Sequence, residues 1–222
     1  VAGPEKKSRV ISQHERELTA WHEAGHAVVM HLLPDHDPVP RITIIPRGQA
    51  GGMTIALPEE DRSYLSKGYM EDQIVALLGG RTAEELCLGD ISTGASNDIQ
   101  RATQIARKMV ASYGMSERIG TVCFDSGHEE VFIGRTMAQG RSYSETVAAE
   151  IDEEIKRVVG EAGARCRHLL ETHRAQLDAV ANYLLQHETM EREEFVAVFD
   201  QPDAQKAEQP TDLPAEKQEP SL

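Results

Sequence analysis

The residues with the clearest chemical purpose are His22, Glu23 and His26, in the run His22-Glu23-Ala24-Gly25-His26. On an α-helix, side chains four apart share a face, so both imidazoles can reach one ion. Zn²⁺ suits imidazole ligands and lowers the pKa of a bound water to about 7, which makes a nucleophile at neutral pH. Glu23 follows the first histidine and projects beside such an ion, placed to take a proton from that water. The chemistry this pattern supports is metal-assisted hydrolysis, with Glu23 as the base.

A catalytic zinc needs a third protein ligand and one open position. The metzincin spacing would put Gly at 29 and His at 32, where this chain has Val29 and Leu32. The thermolysin-like spacing calls for an acid some twenty residues on, but the stretch near 45–52, IPRGQAGG, has none. His31 and His36 are near in sequence, yet Pro34 ends the helix before His36 can be presented. The third ligand is therefore expected from a distant element. Asp98 is one candidate, as an acid in the first turn of a helix expected to be capped by Ser96. On the residues alone it serves equally well as a helix-end acid.

Other clusters carry less. Cys166, His168 and His173 lack zinc-finger pairing, and His168 and His173 are five apart on an expected helix, so a structural reading is preferred. The acids of EIDEEIKRVVGE read as a solvated helix face. Gly79-Gly80 is no phosphate loop, since no Gly-x-x-x-x-Gly-Lys-Ser/Thr occurs in the chain.

These residues need elements to hold them. Ser12 with Glu15 is a capping box that opens a helix expected to run to Leu33 and stop at Pro34. RITIIP (41–46) and GMTIAL (52–57) are short, β-branched and separated by Gly-rich sequence, so a small sheet is expected. Further helices are expected over Lys67–Leu88, from Ser96 to Gly114, and two or three times over 144–199, the last being EREEFVAVF. Ile99, Ala102, Ala106, Met109, Val110 and Tyr113 share one face of the Ser96–Gly114 segment. A strand is possible at 121–124. The expected fold class is mainly α: a helical domain with a small β-sheet.

Within 222 residues, 23 Lys and Arg stand against 37 Asp and Glu, a net charge of −14. Such a body repels phosphate backbones, so nucleic acid is not an expected partner. The 40% apolar content is enough for a real core. Cys87, Cys123 and Cys166 are odd in number and lack CxxC spacing, which points to reduced thiols. No apolar run approaches the roughly 18 residues of a membrane span. Residues 1–12 read as a linker entering the fold, and the start, without Met or an apolar stretch, as the join to a preceding segment. Residues 201–222, rich in proline and acid and free of aromatics, read as a disordered tail.

Five stretches in order, GPEKKSRVIS (3–12), LTAWHEAGHAVV (18–29), LLGGRTAEEL (77–86), STGASNDIQRAT (92–103) and YGMSERIG (113–120), resemble the peptidase domain of the FtsH family of membrane-anchored, ATP-dependent zinc proteases. The resemblance extends over nearly all of residues 4–200 and implies a peptidase domain at 13–200. It implies that His22, His26 and Asp98 hold one Zn²⁺ per chain and that Glu23 is catalytic. Glu84 matches a residue close to the site, expected as a hydrogen-bond partner of a ligand histidine; on the residues alone it also reads as a solvated helix acid. The resemblance further implies an ATPase module joined at residues 1–12, assembly of the parent protein as a homo-hexamer, and unfolded or membrane-derived polypeptides as substrates. It places the domain on the cytoplasmic side of the bacterial inner membrane, within a membrane-anchored parent.

An extended substrate can be held without reading its sequence by backbone pairing to an edge strand. Gly52, Met53, Thr54 and Ile55 are the candidate residues, and an ordinary strand of the small sheet fits them as well. Two competing functions keep part of the pattern: a zinc hydrolase of small amides, and a non-enzymatic ring-forming module with structural zinc or none.

Overall fold

The computed structural model describes residues 12–46, 51–56, 63–124 and 143–200. The expected linker, save Ser12, and the expected tail lie outside them, as does Leu57. The mainly-α expectation holds: seven helices accompany one small sheet among the described residues.

The first helix, α1 (Gln13–Leu32), begins at the expected capping box. Ser12 Oγ accepts from the Glu15 backbone N–H at 3.2 Å, and Glu15 Oε2 accepts from the Ser12 N–H at 3.3 Å. The helix stops because Pro34 disfavours helical geometry at Leu33, which is extended at φ −87°, ψ 127°. Ala20, Ala24, Ala27, Val28 and Val29 of α1 are fully buried, so the helix runs through the core.

Two helices, α2 (Lys67–Leu77) and α3 (Gly79–Leu88), occupy the segment expected to form one. The chain changes course at Leu78 and leads into Gly79-Gly80. Two backbones meet there: a Cβ on Gly25 would lie 2.5 Å from the Gly79 carbonyl oxygen, and one on Gly79 would lie 2.8 Å from that of Gly25. α1 packs most extensively against α3, and this contact is why. α3 ends at Gly89 in the left-handed conformation (φ 68°), which a residue without Cβ adopts freely.

A 3₁₀ turn, Thr93–Ala95, leads into α4 (Ser96–Ala111). Ser96 is thus the first residue of α4 and not its cap. Ala95 occupies the cap position without a side-chain bond, while Ser92 Oγ accepts from the Gly94 N–H at 3.1 Å and starts the turn. Ala102, Ala106, Met109 and Val110 bury the inner face of α4, whereas Ile99, in its first turn, and Tyr113, two residues past its end, are exposed. Residues 121–124 are coil and not a strand.

The long α5 (Glu145–Thr172) is followed by α6 (Arg174–His187) and α7 (Arg192–Asp200). Between α6 and α7 lies a strand missed in the sequence, β3 (Thr189–Glu191), which joins β1 (Arg41–Thr43) and β2 (Met53–Ile55). The sheet is antiparallel with order β2-β1-β3. Arg41 opposes Glu191 and pairs with both carboxylate oxygens, and the hydroxyls of Thr43 and Thr189 meet at 3.0 Å. β2 therefore has an outer edge unpaired among the described residues.

Among the described residues, Glu154 of α5 is wholly buried and still ionised. Arg157 donates to both its oxygens at 2.8 Å, and Ser116 donates at 2.6 Å, which ties the 114–120 loop to α5. The Arg157 bonds outweigh burial and, with Ser116, hold the carboxyl down at about 2 against an ordinary 4.5. A lowered pKa stabilises the fold above pH 4.5, and that contribution fades as pH falls towards 2. Glu154→Gln should cost about 2 kcal/mol at pH 7, allowing for the half-exposed Arg157. Urea unfolding from pH 7 to pH 3 should show the gap to wild type narrowing below pH 4.5.

Candidate metal centre

His22, His26 and Asp98, the three candidate metal ligands, come together in the structure. His22 and His26 lie one turn apart on α1, with their Nε2 atoms 3.0 Å apart. Asp98, from the first turn of α4, brings Oδ2 to 3.5 Å from each of them. The donor atoms of the three residues all fall within 4.8 Å of one another, and no other such group of three occurs among the described residues. Cys166, His168 and His173 form none; Cys166 is buried in the core.

The outer ring nitrogens fix the inner ones. His22 Nδ1 donates to Glu84 Oε1 at 2.6 Å, and His26 Nδ1 donates to the Ala76 carbonyl at 2.8 Å. Both partners can only accept, so each neutral ring carries its hydrogen on Nδ1 and turns the Nε2 lone pair inward. Two lone pairs and a carboxylate then face one point, an arrangement that repels itself unless a cation lies between. A pair of imidazoles and one carboxylate, with their outer nitrogens so held, fits Zn²⁺.

The electrostatics express the same demand. Burial opposes charge on His22, but hydrogen bonds to Asp98 and Glu84 and the charge of Glu23 overcome it and push the ring up to about 10. Burial also opposes charge on Asp98, yet the two histidines, each with Nε2 3.5 Å from Oδ2, hold its carboxyl well below the usual range. The cluster draws in positive charge, here as a proton.

Glu84 is fully buried and is not one of the three grouped donors. Besides His22 it takes the Ser92 N–H on Oε2 at 2.7 Å and the Ser92 hydroxyl on Oε1 at 3.1 Å. One carboxylate thus orients His22 and anchors the turn that leads to Asp98. These bonds outweigh burial, and its carboxyl is held low.

Glu23 lies beside the cluster and is almost buried. Burial pushes its carboxyl up, partly offset by the two histidines and by Thr54, whose hydroxyl donates to Oε2 at 2.7 Å. Gly52, Met53 and Thr54 of the sheet edge line the same cleft of about 580 Å³ as His22, Glu23 and Asp98. Ile55 does not line it.

The sequence pattern of peptidase family M41 matches residues 9–198. The chain belongs to that family. It is 58% identical over 199 residues to ATP-dependent zinc metalloprotease FtsH 1 of Thermoanaerobacter sp. (strain X514), covering 90% of this chain and 33% of the relative. It is 54% identical over 199 residues to ATP-dependent zinc metalloprotease FtsH 2 of Alkaliphilus metalliredigens (strain QYMF), covering 90% and 29%. A relative from Caldicellulosiruptor bescii, ATP-dependent zinc metalloprotease FtsH, is 54% identical over 193 residues, covering 87% and 31%. The chain spans about a third of the length of the curated relatives it matches.

Three parts of this M41 site went unread in the sequence: the Ala76 carbonyl, Ser92, and Gly80. A Cβ on Gly80 would lie 2.5 Å from His22 Nε2 and Cε1. The signal for Gly80 was the Gly79-Gly80 pair inside a helical pattern, a mark of close approach. Gly80→Ala should tilt the His22 ring away from Asp98 and weaken zinc binding roughly 10–100-fold, the range for losing ligand orientation. Titration against a chromogenic chelator measures it, and circular dichroism should show the helices retained.

Proposed function

We propose that this chain is the zinc endopeptidase part of a larger ATP-dependent protease. His22, His26 and Asp98 hold the zinc, and Glu23 is the general base and acid. The observation that carries the reading is the buried carboxylate of Glu23 beside three inward-facing donors, in a cleft bordered by an open strand edge. A purely structural zinc site has no use for a general base there.

When bound, zinc supplies Lewis acidity and makes water acidic enough to attack near neutral pH. Glu23 takes the proton of the attacking water and later delivers it to the leaving amine. Burial keeps that carboxyl nearer to neutrality than an exposed glutamate, as suits a base. Glu84 and the Ala76 carbonyl hold the hydrogen of each imidazole on Nδ1, the tautomer whose Nε2 binds metal. The outer edge of β2, from Gly52 to Ile55, takes up an extended peptide through backbone hydrogen bonds, so binding depends little on side chains.

Such a site suits unfolded polypeptides and excludes folded ones. The relatives' names, ATP-dependent zinc metalloproteases, support delivery by an ATPase module in cis. Assembly as a hexamer and a place at the cytoplasmic face of the bacterial inner membrane, in a membrane-anchored parent, belong to the same proposal. No described helix is long and apolar enough to cross a membrane.

Zinc content and casein cleavage of three proteins test the assignment. Wild type and Glu23→Gln should each carry about one zinc per chain, and Asp98→Ala far less. Glu23→Gln should lose roughly 10²–10⁴-fold in turnover, the usual share of a general base. Full activity without Glu23, or zinc unaffected in Asp98→Ala, overturns the assignment. Cleavage of small amides with casein untouched would make the chain an amide hydrolase.

A further inference from the structure

Glu23 is gripped from the sheet side as well as from its own helix. Thr54 Oγ1 lies 2.7 Å from Glu23 Oε2 and 3.2 Å from the Glu23 backbone carbonyl. Both neighbours are acceptors while Glu23 is ionised, so Thr54 is the donor, and the shorter contact has the length of a charge-assisted bond. Two residues earlier on the same strand face, Gly52 lies flat against Glu23. A Cβ there would stand 2.8 Å from both Cγ and Oε1 of Glu23. Oε1 itself accepts no hydrogen bond from the described residues.

We propose that Thr54 is a positioning residue for Glu23, fixing one carboxylate oxygen so that the other is presented to the reacting atoms. The inference rests on the reading of Glu23 as the base. The terminal torsion of a glutamate is broad, so an unheld carboxylate turns between many orientations. Thr54 is suited to stop it. Its β-branched χ1 is stiff, and its place opposite Ile42 in the β1–β2 ladder sets where the hydroxyl points. Side chains alternate along a strand, and the Thr54 side chain is on the face towards α1.

The same placement separates two tasks within one strand. A peptide that pairs with the outer edge of β2 uses backbone N–H and C=O groups, none of them supplied by the Thr54 side chain. The hydroxyl is therefore free to serve the base while the backbone serves the substrate. The strand that receives the peptide is also the strand that orients the base, so the scissile carbonyl and Oε1 are set from one element. Removing the hydroxyl should leave substrate binding alone and slow the chemical step, the signature of an interaction used only in the transition state.

Thr54→Val removes the hydroxyl at nearly constant shape, and Thr54→Ser restores it. With an unstructured fluorogenic peptide, Thr54→Val should lower kcat about 10–100-fold, the range for one bond to a charged group, with KM within about twofold. Thr54→Ser should recover to within about threefold of wild type. Zinc content should stay at that of wild type in both. Urea unfolding of the metal-free protein gives a readout independent of turnover. Thr54→Val should lower the midpoint in wild type and less so in a Glu23→Ala background. Unchanged kcat, a loss confined to KM, or a serine variant as slow as valine would overturn the proposal. If Thr54→Val fails to fold, Thr54→Ala is measured against Thr54→Ser in the same way. If wild-type protein cleaves no peptide, the endopeptidase reading fails on its own, and additive effects in the unfolding cycle would independently remove the Thr54–Glu23 coupling.

Discussion

A carboxylate with no access to solvent must find its hydrogen bonds inside the protein, and Glu84 finds them in two places that would otherwise be independent. One is the outer nitrogen of His22 on α1; the other is Ser92, from which the chain turns into α4 and presents Asp98. Leaving a buried carboxylate unpaired costs several kcal/mol, so α1, α3 and the start of α4 settle only where these bonds form together. The spacing of Asp98 from the two histidines is thereby tied to the packing of three helices. A loop-borne ligand would have no such constraint.

The approach of α1 to α3 makes that bond possible. Glycines at 25 and 79 let the two backbones come together, and Gly80 leaves room for the His22 ring over α3. Each is a position where a methyl group would collide with backbone or with a donor atom. The helix break at Leu78 belongs to the same arrangement: it puts Ala76 in the last turn of α2, where His26 donates to its carbonyl. Helix ends and glycines thus do for His26 what Glu84 does for His22, with a neutral acceptor in place of a charged one. The upward shift of His22 comes from Asp98 first, then from Glu84 and Glu23.

What could be read from the sequence follows the range of the interactions. His22, Glu23 and His26 are set by one turn of one helix, and the Ser12–Glu15 box and Pro34 mark that helix locally, so spacing sufficed. Asp98 is far away in the chain and looks locally like any acid near a helix start; the long STGASNDIQRAT resemblance was needed to connect it to the histidines. The cap at Ser96 was misplaced because Ser92 and Ser96 both precede helical sequence, and a 3₁₀ turn between them cannot be told from a first α-turn by residue type. β3 was hidden for a different reason. Three residues, Thr189-Met190-Glu191, carry too little alternation to register as a strand, and only their pairing with β1 makes them one. Gly79-Gly80 sits in a pattern that an α-helix tolerates, so the residues alone predict a continuous helix, and the packing of α1 against α3 accounts for the pair.

The sheet is small for a structural role alone. Its three strands have three residues each, and a strand of that size gains little from its own ladder. β1 supplies Ile42, fully buried, and is anchored by β3 through the Arg41–Glu191 and Thr43–Thr189 contacts. β2 by contrast has no fully buried residue; it pairs with β1 and meets α1 at Glu23. An element with so little core of its own is held by what it holds. The hydroxyl of Thr54 donates to the side chain of Glu23 and lies 3.2 Å from its backbone carbonyl, so β2 is docked on the residue proposed to act as base. Pairing a further strand to its outer edge would extend a three-stranded sheet to four and stiffen that docking. Substrate binding and orientation of the base would then be two consequences of one ladder of hydrogen bonds.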